Sequence, residues 1–264
     1  MEVSTNIKVL QWNIGGGKIR DINDDPEKTV GAKKNSYSKD DLDYVIDKIR
    51  EYSPDIITLV EVHANETIRQ VEVIAKTLGY GYWVEDEYCD SHVEKGQRLC
   101  QSIISKFPLS NHSFKFFYNP KLKKVMENGE TWIMVDKGRT FASASLPDGT
   151  NIGLTVLHMI PFRRFDLDYD SLEGKKVLED VSKKVFDTEE HFHVVSGDFN
   201  IDTPDVSSFF SDAGKFNELI SAESTTPKGR NYDHILSKGL QPINRKVDST
   251  ALTDHYPVVS EFKL

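Results

Sequence analysis

Several strand-like runs in this 264-residue chain end in a side chain suited to a cation or a phosphate. Asn13 closes an alternating run at 7–14 (IKVLQWNI). Glu61 sits near the end of an apolar, β-branched run at 55–62 (DIITLVEV), where an unpaired carboxylate is costly to bury. His158 ends the run at 151–158. Asp198 and Asn200 follow the run at 194–196 through Gly197, and Asp254-His255 stand just before the run at 258–262. In α/β proteins, ligand sites collect where strands end. Each residue alone also has an ordinary reading. Glu61 could be a salt-bridged strand end, and 197–200 a tight turn, since Gly, Asp and Asn all favour turns. Asn13 could be a turn residue, His158 a structural histidine, and Asp254-His255 a helix cap.

The elements that must position these residues read as mixed α and β. Apolar residues at 42, 45, 46 and 49 follow helical spacing, with Ser38 as N-cap, Asp40 and Asp41 in the first turn, and Pro54 as the stop. A second helix is expected over 67–78, closed by Gly79, a third over 172–186 and a short one over 206–213. Strands are expected at 102–105, 132–135, 139–146, 151–158, 192–196, 232–236 and 258–262, with Pro147-Asp148-Gly149 turning a hairpin. The polar stretches 18–37 and 84–100 read as loops that shape specificity. Hairpins in the second half argue for two packed sheets flanked by helices, not a uniform βαβ alternation.

Taken together, residues 11–14 (QWNI), 59–62 (LVEV), 196–200 (SGDFN), 232–235 (YDHI) and 253–258 (TDHYPV) resemble, in order, the motif set of the endonuclease/exonuclease/phosphatase superfamily. That group includes pancreatic-type deoxyribonucleases, apurinic endonucleases, inositol polyphosphate 5-phosphatases and neutral sphingomyelinases. The resemblance runs across essentially the whole chain and implies one domain over 1–264. It implies an α/β four-layer sandwich, two facing mixed β-sheets with helices outside. It implies Mg²⁺ or Mn²⁺ held mainly by Glu61, with Asn13 and Asp254 close by. Hard oxygen donors suit these ions, and the sequence lacks the Cys/His cluster of a zinc site.

The same resemblance implies roles. Asp198 would orient or deprotonate the attacking water, and Asn200 would donate to the phosphate. His255 would face that phosphate, oriented by Asp233; a carboxylate partner fixes a histidine's tautomer and raises its pKa. The base is either Asp198 or His255. His158 matches a histidine that several branches use as phosphate ligand or general acid. Arg139 falls, by order alone, where several members place a phosphate-binding arginine; a surface arginine on a hairpin strand is the other reading. The chain departs from the pattern at Asp233-His234, where the family often has Asp followed by an aromatic residue, and at 160–165 (IPFRRF), where Arg163 and Arg164 between aromatics could bind a phosphate backbone and stack on a base.

Composition narrows the substrate. Hydrophobic residues make up 38% and charged residues 28%, enough for a sizeable core, so the chain reads as soluble and folded. The formal net charge of -9 gives no large basic surface for coating nucleic acid, although a local patch could still dock it. Cys89 and Cys100 read as reduced thiols. Without a signal-peptide pattern at the start or a ~20-residue apolar stretch, a cytoplasmic protein with no membrane span is expected, and a monomer. The leading expectation is a nuclease or phosphodiesterase on nucleic acid, DNA ahead of RNA. The alternative is a phosphatase or phosphodiesterase on a small phosphate ester, such as an inositol phosphate or a phospholipid head group. A non-catalytic binding module ranks last, because the acid, amide and histidine set is complete.

Overall fold

The computed structural model describes residues 6–20 and 37–264. Two sheets face each other. The first has six strands in the order β14-β15-β1-β4-β6-β5: β1 Asn6–Asn13, β4 Ile56–Ala64, β5 Tyr82–Asp90, β6 Arg98–Ser105, β14 Gln241–Val247 and β15 Val258–Lys263. The second has five in the order β13-β12-β11-β10-β7: β7 Leu109–Phe116, β10 Gly138–Ser145, β11 Asn151–His158, β12 Phe192–Asp198 and β13 Asp233–Lys238. Two small antiparallel strand pairs complete the set among the described residues, β2 Lys18–Arg20 with β3 Tyr37–Asp40 and β8 Lys123–Val125 with β9 Thr131–Ile133. The four-layer sandwich expected from the sequence is therefore the fold.

Apolar burial sorts into the layers such a sandwich requires. Val9, Ile56, Val60, Val156, Val194 and Ile235 fill the space between the sheets. The outer face of the first sheet is covered by α1 Leu42–Tyr52 and α2 Gln70–Leu78, and that of the second by α3 Leu172–Val185. Helix α1 buries Val45, Ile46 and Ile49, each contributing about 1.5–3 kcal/mol. Replacing Ile49 by Asp would place an unpaired charge in that layer and break the packing.

The differences from the sequence reading have local causes. Ser38 lies in β3; the N-cap is Asp41, whose side chain accepts from the Tyr44 N–H at 3.0 Å. The polar stretch 84–100 is no loop: most of it belongs to β5 and β6, and on the edge strand β5 the charges have partners, Glu85 pairing with Arg69 and Asp86 accepting from Thr140 of the second sheet. Of 18–37, the ends form β2 and β3, and 21–36 fall outside the described residues. The helix expected over 206–213 is two short 3-10 turns, Ser207–Phe209 and Ser211–Lys215. There the Asp205 carboxylate accepts from the Ser207 N–H at 3.1 Å, a local bond that competes with helix. Cys89 and Cys100 are buried and free. Among the described residues no helix is long and apolar enough to cross a membrane.

Candidate active site

One rung of the second sheet assembles most of the site. Across neighbouring strands, Gly138 pairs with His158, His158 with Asp198, and Asp198 with Asp233. The approach of β12 to β11 here needs glycine: Gly197 has φ 150, and a Cβ on it would lie 2.0 Å from the Leu157 carbonyl oxygen. That accounts for the glycine before Asp198 on packing grounds alone.

The first sheet meets this rung with Asn13 and Glu61. Asn13 is buried at the end of β1; its Nδ2 donates to Asp198 Oδ2 at 3.2 Å and its Oδ1 accepts from the Gly15 N–H at 3.1 Å. Glu61 reaches the site through a β-bulge. In β4, Ile57 and Leu59 face the helices while Thr58 and Val60 face the second sheet. Simple alternation would send residue 61 outward with Leu59. The register instead shifts between Val60 and Val62, and Glu61 adopts φ 55. Its carboxylate comes to lie 3.7 Å from His158 Nε2 and 3.9 Å from His92 Nε2. A left-handed conformation in a non-glycine residue costs on the order of 1–3 kcal/mol and gathers at functional sites.

The electrostatics separate the acids. Burial acts to raise the pKa of Glu61, but the groups around it, His92, Lys137 and His255 among them, outweigh it and pull the carboxyl down to about 2. Asp198 goes the other way: burial, with Asp233 and Glu61 nearby, pushes it up to about 7 against His255 and the Asn200 N–H. His255 donates from Nδ1 to Asp233 Oδ2 at 2.7 Å and holds Nε2 3.8 Å from Asp198 Oδ2. Burial opposes its charge, yet Asp233 and Asp198 hold its pKa well above the ordinary histidine value. Asp233 is fully buried and also accepts from Gln11 Nε2 at 3.2 Å. Asp254 is exposed and lies next to Gly15.

Not every expected residue converges here in the same way. Asn200, at φ 52, gives its N–H to Asp198 Oδ1 at 2.9 Å and its Nδ2 to the Met159 carbonyl at 3.0 Å, so it positions Asp198. Arg164 stacks 3.9 Å over the Trp132 ring at the rim and feels the charges of Glu61 and Asp254. Arg163 is exposed on the same 3-10 turn, Phe162–Phe165. Arg139 is not brought to the site. Its neighbour Thr140 bonds to Gln101 in the first sheet, so Arg139 faces the outer side of the second sheet, donating to Ser113.

Three site residues carry no motif signal. Lys137 is buried with Nζ 3.0 Å from His158 Nδ1 and 3.1 Å from Nε2. The Tyr88 hydroxyl lies 3.0 Å from the same Nδ1. Burial and the Lys137 charge hold His158 well below the ordinary histidine pKa, so its ring is neutral. His92, beside Glu61, is the third.

The arrangement suits a divalent cation in one place more than another. Glu61 is a buried carboxylate, ionised at low pH, with no lysine or arginine within ion-pair distance among the described residues. Such a group fits a hard cation. Asp198, Asp233 and His255 also present ligand atoms within 4.8 Å of one another. Their closeness is accounted for by the Asp233–His255 hydrogen bond, which occupies the imidazole Nδ1.

The sequence matches the description of the endonuclease/exonuclease/phosphatase family over residues 10–255. The chain belongs to that family. Its members are phosphoric ester hydrolases, and the chain is an enzyme of that class. Among curated proteins none matches. Solved structures share the fold: an endonuclease/exonuclease/phosphatase from Beutenbergia cavernae DSM 12333 has a TM-score of 0.68 at 16% identity, covering 98% of this chain and 72% of that one. The human Nocturnin catalytic domain with bound sulfate has 0.65 at 16%, covering 98% and 96%. The 3' phosphatase NExo from Neisseria, bound to a product DNA hairpin, has 0.59 at 16%, covering 97% and 99%.

Proposed function

We propose that the protein is a one-domain, Mg²⁺- or Mn²⁺-dependent phosphodiesterase that hydrolyses phosphodiester bonds of nucleic acid, DNA ahead of RNA. The observation that carries this reading is the bulge that turns the Glu61 carboxylate toward the His158–Asp198–Asp233 rung. Glu61 would hold the cation, with Asp254 and the Asn13 amide close by. When bound, the cation would neutralise a non-bridging oxygen and stabilise the leaving oxygen. Asp198 and His255 share the attacking water: Asp198 Oδ2, fixed by Asn13 and near His255 Nε2, is placed to orient it or take its proton. Asp233 keeps the His255 imidazole in one tautomer, facing the phosphate with Nε2. His158, held neutral by Lys137, contacts the phosphate with Tyr88 behind it. Arg164, stacked on Trp132, offers a planar cation at the rim for a phosphate or a base.

The NExo structure is of a phosphatase with a DNA product, in keeping with a nucleic-acid substrate on this fold. A net charge of -9 favours the second reading, a phosphatase or phosphodiesterase on a small phosphate ester. The test is hydrolysis with Mg²⁺, Mn²⁺ or EDTA on plasmid DNA, single-stranded DNA, abasic-site duplex, RNA, inositol phosphates and a sphingomyelin analogue. Nucleic-acid cleavage lost with EDTA and in Glu61→Gln is expected. Turnover of small esters alone would move the substrate to the second reading, and full activity in Glu61→Gln would remove Glu61 from the site.

A further inference from the structure

Arg139 leaves the active site for a cavity of about 280 Å³ on the outer face of the second sheet, beside the C-terminal end of α3. The residue is 8% exposed, its Nε has no hydrogen-bond partner, and no carboxylate lies within ion-pair distance among the described residues. Its guanidinium rests 5.6 Å from the Phe141 ring and donates once, to Ser113. A buried guanidinium with this few partners is costly and calls for an anion.

His193 lines the same cavity and is 1% exposed. Its Nε2 lies 2.9 Å from the Thr155 hydroxyl, and its Nδ1 is buried without a partner. Burial, with Lys238 and Arg139, lowers its pKa to about 3, so the ring is neutral. In the tautomer in which Nε2 accepts from Thr155, Nδ1 carries the proton and is a second donor for an anion.

The rest of the lining is mainly acidic. Asp187, Glu189 and Glu190 border the cavity with no ion pair among the described residues, and Lys184, also in the lining, is paired with Asp180. Three carboxylates would repel a phosphate dianion but would attract an ammonium group. We propose that this cavity binds a small zwitterion of the amino-acid type, its carboxylate on Arg139 and His193 and its ammonium toward Asp187, Glu189 and Glu190. The volume suits a molecule of that size. The site lies on the opposite face of the sheet from His158 and is independent of the reaction proposed above.

The experiment is calorimetric titration of the full chain with L-serine, acetate, methylamine and inorganic phosphate at fixed ionic strength. L-Serine should bind about tenfold or more tighter than any of the other three. Arg139→Met should lose that affinity by at least about tenfold while keeping phosphoesterase activity, and Glu61→Gln should keep the affinity. Should Arg139→Met fail to fold, the combined Asp187→Asn, Glu189→Gln and Glu190→Gln variant tests the same site, and should bind L-serine no better than acetate. Absence of L-serine binding, binding untouched by these changes, or phosphate or acetate binding as tightly would each overturn the proposal.

Discussion

Lys137 helps to set the state of His158. Burial first, and then the charge of Lys137 with Nζ against both ring nitrogens, keep the imidazole neutral. Lys137→Met is therefore expected to raise the His158 pKa while burial still holds it below the ordinary histidine value, and to cut kcat by about 10–10²-fold. An NMR titration of the imidazole, with kcat measured across pH, checks both. An unmoved His158 titration would mean that Lys137 does not set its charge. The sequence offered no hint of this residue: it precedes β10, outside any motif, and meets His158 only because β10 and β11 pair. Arg139, two positions on, looked the better candidate by order, but inside β10 it alternates with Thr140, which faces the first sheet, and so points to the far face; Lys137 precedes the strand and is not bound by that alternation. By contrast Asp198, Asp233 and His255 were legible, because each lies in a short motif at a strand end; pairing of β12 with β13 sets the two acids side by side, and packing of the first sheet on the second brings His255 to them.

At the scale of elements, the turn that presents His255 is pinned by Asp248. Its carboxylate accepts from Tyr52 Oη at 2.7 Å and Lys48 Nζ at 3.2 Å on α1, and from the Thr250 N–H at 3.1 Å. Burial acts to raise its pKa, but the bonds from Thr250, Tyr52 and Lys48 prevail and hold it at about 2. A folded pKa below the unfolded value near 3.9 stabilises the protein above pH ~4 by about 2 kcal/mol, and this is lost as the pH falls through about 2. Asp248→Asn should cost about that much in urea unfolding at pH 7 and progressively less below pH ~4; an equal loss at pH 7 and pH 3 would rule out the carboxylate as the cause. Helix α1 itself was readable from its period. The bulge in β4 was not, since apolar residues on both sides of Glu61 give the same pattern in either register. Edge strand β5 was hidden by its charged run, Glu85-Asp86-Glu87, which carries no apolar face to read.

For the whole molecule, fold class followed from the alternation of apolar runs and the order of motifs, whereas substrate class depends on where a few cations sit on an acidic body. A net charge of -9 repels a polyanion at long range, so docking of nucleic acid must rest on local contacts that salt weakens. Arg164 is the cation best placed for this: it is stacked on Trp132, near Glu61 and Asp254, and the turn that carries it is tied to hairpin β8–β9 by the Lys124–Asp166 ion pair at 2.6 Å. Arg163 sits on the same turn, exposed as Arg164 is, but without the stack on Trp132. Arg164→Ala should therefore raise KM for single-stranded DNA several-fold and reduce the slope of log KM against log salt by about 0.7, with little change on an inorganic-sized phosphate ester. Arg163→Ala should change both less. Because Trp132 lies under the guanidinium, its fluorescence should respond to oligonucleotide in the wild type and lose that response in Arg164→Ala. An unchanged salt slope and an indifferent Trp132 would mean that this rim does not touch a nucleic-acid backbone. The acidic surface would then weigh for the small phosphate ester, a substrate that the Glu61–His158–Asp198 site could hold without help from the rim.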